Sequence, residues 1–305
     1  MMKVMTMKSY KRIILPLLAA ILVVTGCHKK RDYDYSRWYV DPNEGDGGRK
    51  LSTMTFNVRS SSMEERYEVN TWAARRPGVK AMMSDRKPVL MGTQECKIDQ
   101  REHILADHPE YGAIWADNIS HSKEETEECT IFYIKDSVEV LRYGTFYLSS
   151  TPDVESKPNA TNHYRVCTWG KLKMKNDGKL LYYFNTHLDL ELSIQQFEMD
   201  VILNKMRTIN TENLPIFLTA DFNCDEDSNI FGGIKGDGFL SARLEAVVGD
   251  SYKTFNGFGY NGSSRLDHCF FKDFSAVTRF TTIRNAYAGI EYISDHYPVS
   301  IILKF

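Results

Sequence analysis

The sequence predicts one α/β domain over residues 49–305, in which two packed β-sheets are flanked by helices. Three observations point to that class. Short β-rich runs recur along the chain, and helical periodicity appears between them. Some of the runs alternate apolar and polar residues while others are continuously apolar, as expected when sheets are packed on each other and covered by helices.

The β-rich runs are LSTMTFNV (51–58), PVLMGTQ (88–94), CTIFYI (129–134), YRVCTWGKLKM (164–174), KLLYYFNTH (179–187), LPIFLTADF (214–222), LDHCFF (266–271) and HYPVSIILKF (296–305). The fourth and fifth are joined by Asn176-Asp177-Gly178, a tight hairpin signal. One helix is expected over Trp72 to Ser84 and a second over Ile98 to Asp107. A third is expected over 193–209, with Ser193 as its cap and Ile194, Phe197, Val201, Met206 and Ile209 near one face. No period of 20–50 residues repeats, which excludes solenoids and propellers.

Composition agrees with a globular domain. The 305 residues are 42% hydrophobic, 12% aromatic and 26% charged, which excludes disorder, collagen-like repeats and coiled coil. Residues 1–26 carry four positive charges (Lys3, Lys8, Lys11 and Arg12) and no acids, so the remaining chain holds 34 basic against 40 acidic residues. That balance speaks against a strongly basic nucleic-acid binder.

The N-terminus reads as an address. Lys8, Lys11 and Arg12 precede the apolar run from Ile13 to Val24, which is too short and too proline-marked for a comfortable span. It ends Val24-Thr25-Gly26-Cys27, which resembles a bacterial lipobox. The expectation is a lipoprotein signal peptide (1–26), an acylated Cys27 that anchors the chain to a lipid bilayer, and a polar tether (27–48) containing DPNEGDGG. The location expected is the cell envelope, facing either the periplasm or the exterior. Five cysteines remain (Cys96, Cys129, Cys167, Cys224 and Cys269), with no CxxC. They read as small buried hydrophobes, with room for one disulfide.

Six apolar runs end in sharp polar residues: Asn57; Glu95; His187 with Asp189; Asp221 with Asn223; Asp267 with His268; and Asp295 with His296. In layered α/β proteins sites collect at strand ends, because a rigid sheet aims the side chains there. These residue types suit one chemistry. Glu95 and Asp295 are hard oxygen donors of the kind Mg²⁺ takes, while no HExxH or HxH suggests zinc. Hydrolysis of a phosphoester needs charge neutralised on its oxygens, an oriented water and help for the leaving group. Two histidines, several carboxylates and two asparagine amides supply all three. The run from Asp221 to Asp227 imitates the start of a calcium loop, but Glu226 and Gly232 stand where such a loop needs Gly and Glu.

These segments, namely TFNVRS, GTQE, FNTHLD, TADFN, SRLDHCFF and SDHYPV in that order, resemble the endonuclease/exonuclease/phosphatase superfamily, which shares the deoxyribonuclease I fold. NTWAARRPGVKAMM is also similar to a subgroup of secreted bacterial metal-dependent hydrolases. The resemblance implies a four-layer α/β/β/α sandwich of two mixed sheets and Mg²⁺-dependent phosphoester hydrolysis, with Mn²⁺ as the alternative ion. It implies that Glu95 binds the metal with Asp295 and Asn57 near it, and that Asp221 and Asn223 orient water and phosphate. It places His296 as a base or phosphate contact with Asp267 holding its ring, and His187 at the transition-state phosphate. Relatives pair that second histidine with a Glu. Glu127 has the right offset, with Glu128 beside it. Arg165 stands where relatives place a phosphate-facing Arg; the other reading is a surface strand charge. His268 replaces the usual Tyr, and packing is preferred to substrate contact.

The leading expectation is a phosphoesterase acting on a small or lipid-borne phosphoester. The alternatives are an envelope endo- or exonuclease, with nucleic acid as substrate, and a binding lipoprotein without catalysis. No protein partner is implied.

Overall fold

The computed structural model describes residues 50–63, 69–116, 128–260 and 262–305. Residues 1–48, with the expected signal peptide, Cys27 and tether, lie outside the described residues, as does Glu127. In chain order the elements are β1 (Lys50–Asn57), α1 (Trp72–Arg86), β2 (Leu90–Gln94), α2 (Ile98–Asp107), β3 (Tyr111–Ile114), β4 (Ile131–Ile134), β5 (Val138–Tyr147), β6 (Val166–Met174) and β7 (Leu180–His187). They continue with α3 (Leu192–Ile209), β8 (Ile216–Asp221), α4 (Phe231–Gly236), β9 (Leu240–Ser241), α5 (Ala242–Glu245), β10 (Ala246–Val248), β11 (Asp267–Lys272), β12 (Ala276–Thr282) and β13 (Val299–Lys304).

The strands form a seven-stranded sheet, ordered β10-β12-β13-β1-β2-β4-β3, and a six-stranded sheet, ordered β5-β6-β7-β8-β11-β9. Both are mixed: β1 pairs parallel with β2 and antiparallel with β13, and β7 pairs parallel with β8, which is antiparallel to β11. Three apolar clusters stack these layers. Val79, Met82 and Met83 of α1 and Ile104 of α2 cover the outer face of the first sheet at Met54, Phe56, Met91 and Phe132. Leu51, Leu90, Ile301 and Leu303 of that sheet meet Leu181, Tyr183, Phe217 and Phe271 of the second between the sheets. Met199, Ile202 and Leu203 of α3 cover Trp169, Tyr182, Phe184 and Leu218 on its far face. The result is the expected α/β/β/α sandwich.

The faces between the sheets change character along each strand. The period-2 series is Leu51, Thr53, Thr55, Asn57 on β1 and Leu181, Tyr183, Asn185, His187 on β7. On β8 it is Phe217, Thr219, Asp221, and on the antiparallel β11 it runs in reverse from Phe271 through Cys269 to Asp267. One end of the sandwich is therefore apolar and the other polar. At the polar end the sheets are bolted together: Gln94 Nε2 donates to Asn185 Oδ1 (2.7 Å), which also accepts from Thr219 Oγ1 (2.9 Å). Gly92 permits the approach, since a Cβ there would meet Thr219 Oγ1 at 2.4 Å and Asn185 Oδ1 at 2.5 Å.

The NDG hairpin joins β6 to antiparallel β7, with Gly178 at φ +75°. Strands β3, β5, β9, β10 and β12 were not marked by the sequence pattern. β5 and β12 each carry a register shift, between Val140 and Arg142 and between Val277 and Arg279, which breaks the two-residue alternation. The third helix begins one residue earlier than expected, after Glu191, so Ser193 lies inside its first turn rather than capping it. Its buried stripe is Ile194, Gln195, Glu198, Met199, Ile202, Leu203 and Met206, leaving Phe197 exposed. The stripe is rotated because Gln195 and Glu198 turn inward to hydrogen-bond the turn after β7. No disulfide is present among the described residues, and Cys96, Cys129, Cys167 and Cys269 are buried.

Candidate active site

The topology explains why the polar strand ends meet. The C-terminal ends of β1, β2, β7 and β8 and the N-terminal ends of the antiparallel β11 and β13 all lie at the polar end of the sandwich. Asn57, His187 and Asp221 are the last residues of their strands, and Asp267 is the first of its own. Glu95 and Asn223 follow β2 and β8 in the left-handed region, at φ +58° and +52°. Non-glycine residues held there cost free energy and cluster at functional sites. Arg59, just beyond β1, is a third such residue at φ +56°.

Asp221 is the hub. Its Oδ2 accepts from Asn57 Nδ2 (2.8 Å) and lies 3.6 Å from both His187 Nε2 and His296 Nε2. Its Oδ1 accepts from the Asn223 backbone N–H (2.9 Å). Asn57 Nδ2 also donates to Glu95 Oε1 (2.9 Å), while Glu95 Oε2 accepts from the Ser60 N–H (3.0 Å). Asn57 thus ties together two carboxylates carried by different sheets. On the far side of the mouth, Asp267 Oδ2 holds His296 Nδ1 at 2.7 Å, and Arg59 Nη1 lies 3.3 Å from Asp295 Oδ2. Asn223 Nδ2 lies 2.9 Å from His187 Nε2 and donates to the Leu188 carbonyl. Arg165 Nη1 sits 2.8 Å from His187 Nδ1, so this side chain faces the site and not the surface.

The charges are unbalanced. Burial alone would lower His296, but Asp267 and Asp221, with Asp295 behind them, hold it well above the usual histidine range. Burial holds the Asp295 carboxyl above its ordinary value, opposed by His296 and reinforced by Glu95. Ligand atoms of Glu95, His187 and Asp221 fall within 4.8 Å of one another, as do those of Asp221, Asp267 and His296. Buried carboxylates need a partner or a metal. Four of them gather at this mouth, where Arg59, Arg165 and His296 are the neighbouring cations, and Asp267 Oδ1 has no hydrogen-bond partner among the described residues. A hard divalent cation fits that donor set.

All the site residues expected from sequence that lie within the described chain converge on this mouth. Glu128 is turned away: it pairs with Arg101 and accepts from Thr130 Oγ1 (3.3 Å). His268 is buried against Phe222 and Phe231, its Nε2 between the carbonyls of Cys224 (3.0 Å) and Arg265 (2.9 Å). Burial keeps it below the usual histidine range, in line with the packing role. Sequence reasoning missed the second ring of supports. Arg75, 1% exposed, donates to the carbonyls of Val58, Arg59, Asn70 and Ile293, pinning the ends of the β1 and β13 approaches together. Its signal was present in the NTWAARRPGVKAMM segment. Gln195 and Glu198 on α3 hold the Asp189 backbone (2.7 and 2.8 Å); nothing in the local pattern distinguished them from an exposed helix face.

A model of the Endonuclease/Exonuclease/phosphatase family matches residues 54–296, from β1 to His296. The chain belongs to the endonuclease/exonuclease/phosphatase family. Among solved structures, a mannosyl-6-phosphatase from Bacteroides thetaiotaomicron superposes with a TM-score of 0.77 at 28% identity, covering 84% of this chain and 100% of its own. A Bacteroides vulgatus member gives 0.76 at 26% identity, covering 83% and 98%. The human Nocturnin catalytic domain, solved with a bound sulfate, gives 0.65 at 14% identity, covering 83% and 93%, a likeness that concerns the fold alone. No curated protein sequence matches. Family members are hydrolases acting on phosphoesters, typically with a divalent metal, and the chain carries an acidic and histidine cluster that could hold such an ion.

Proposed function

We propose that this protein is a metal-dependent phosphoesterase that hydrolyses a small or lipid-borne phosphoester in the bacterial envelope. The observation that carries the reading is Asp221 Oδ2 lying 3.6 Å from both His187 and His296 and bridged by Asn57 to Glu95. That cluster offers acids for a cation beside donors for an anion. Glu95, with Asp295 and Asn57 beside it, would hold the ion, Mg²⁺ or Mn²⁺, and the ion would supply charge neutralisation on the phosphoryl and leaving oxygens. Asp221 orients the attacking water and takes its proton. His296, held protonated by Asp267, donates to a phosphoryl oxygen. Asn223, His187 and Arg165 hold the negative charge that develops in the transition state.

The likeness to a mannosyl-6-phosphatase supports a phosphomonoester, and the acidic balance of the chain favours this over a nuclease. Phosphate release from mannose 6-phosphate and inositol phosphates and phosphocholine release from sphingomyelin, beside cleavage of plasmid DNA and RNA, are the test. With Mg²⁺ a small phosphoester is expected to turn over fastest. Fastest cleavage of nucleic acid would make the protein a nuclease, and metal binding with no turnover would leave only a binding lipoprotein. For the anchor, Cys27→Ala is expected to move the protein from the membrane to the soluble fraction. No described helix is long and apolar enough to cross a membrane.

A further inference from the structure

A second aspartate–histidine pair stands beside the first. Asp189 is buried at 2% exposure, while the His163 side chain that it holds is 48% exposed. His163 Nδ1 lies 2.9 Å from Asp189 Oδ2, which also accepts from Thr161 Oγ1. Asp189 Oδ1 accepts from the Glu191 N–H (3.1 Å), and the His163 N–H donates to Thr161 Oγ1 (3.1 Å). Burial alone would raise the Asp189 carboxyl, but the bonds from Thr161 and His163 outweigh it and keep the group ionised. An ionised carboxylate takes the Nδ1–H, which leaves Nε2 at the exposed end of the ring as a hydrogen-bonding atom of fixed direction. A surface histidine that only covered the fold would not need a buried acid to orient it.

The pair is placed at the rim of the mouth. Asp189 follows His187 by two residues on the turn after β7, and His163 precedes Arg165 by two on the segment entering β6. Arg165 reaches His187 and His163 reaches Asp189, so the same two segments are joined by two contacts, the second two residues along each segment from the first. Two residues of chain span at most about 7 Å, a reach comparable to that from a phosphoryl group across a sugar ring.

We propose that His163 contacts substrate, its Nε2 hydrogen-bonding a hydroxyl of the alcohol portion, and that the substrate is therefore the phosphate of a polyhydroxylated alcohol such as a sugar. This rests on the phosphoester occupying the His187–Asp221 mouth. Calorimetric titration in an Asp221→Asn background tests it without turnover, using mannose 6-phosphate and inorganic phosphate with Mg²⁺. His163→Asn can keep the bond to Asp189 and lacks the distal nitrogen, whereas His163→Gln places an amide near the Nε2 position. The expected result is about tenfold weaker binding of mannose 6-phosphate in His163→Asn, roughly one hydrogen bond. Inorganic phosphate should be unaffected, and His163→Gln should lie within about threefold of the parent on the same scale. Unchanged binding in His163→Asn, equal loss for both ligands, or a parent that binds mannose 6-phosphate no better than phosphate would overturn it. Turnover by the unmodified enzyme tests the phosphoesterase reading separately.

Discussion

Asp221 carries three demands at once: one amide and two imidazoles approach a single carboxylate oxygen, while a backbone N–H fixes the other. In the proposed mechanism that fixation makes it a stable reference for an incoming water, because the oxygen cannot swing without losing the Asn57 bond. Asp221→Asn removes the charge and keeps the shape, so the fold should persist while turnover falls by about 10²–10⁴-fold. His296→Ala should cost a similar factor. Metal-dependent phosphate release, with circular dichroism as the folding control, decides both, and wild-type rates in either variant would refute the assigned roles. Most of these residues were legible from sequence. A single polar residue closing an apolar run is a local signal that needs no knowledge of partners. Arg165 was ambiguous for the opposite reason: a strand arginine looks the same whether it meets water or His187.

Two elements support the site in ways that packing arguments can test. β2 runs close to the second sheet at Gly92, and Gly92→Ala forces Thr219 and Asn185 apart. The expected cost is about 1–3 kcal/mol of stability, read as a lower melting temperature, with larger side chains worse. Helix α3 buries Glu198 among apolar neighbours, where loss of hydration raises its carboxyl to about 8 despite the Asp189 N–H and the Arg165 charge. The folded value lies above the unfolded one, so the native state binds the extra proton. Stability from this group is fully present below the ordinary carboxylate range, about 4.5, and is lost as pH rises through about 8. Glu198→Gln should flatten the pH dependence of the melting temperature between those limits and stabilise the fold at the alkaline end by an amount on the order of a few kcal/mol. A variant with the wild-type slope would place the titration elsewhere. The sequence rotated α3 wrongly because an apolar count cannot see that Gln195 and Glu198 are buried for their hydrogen bonds.

At the scale of the whole molecule, two sheets meet where their facing surfaces turn polar, and the acids gathered there repel one another. A divalent cation that relieves this repulsion binds only the folded state. A hundredfold excess over the dissociation constant should therefore add about 2.7 kcal/mol of stability, read as a higher melting temperature. A chelator should reverse the gain and abolish turnover together. Differential scanning fluorimetry across Mg²⁺ and Mn²⁺ concentrations measures it, and a melting curve indifferent to both ions would argue against a cation at Glu95.

The amino-acid order alone determined the β-rich runs, the hairpin at Gly178 and the polar residues that close the strands, because alternation and turn chemistry act within a few neighbours. Only the tertiary structure decided which of those ends share a mouth, which helix face is buried, that Arg75 and Glu198 stand behind it and that the His163–Asp189 pair stands beside it. Asn57 and Asp221 are separated by 164 residues and touch only because opposite sheets pack. Contact at that range follows from layer packing and strand direction, which no local periodicity encodes.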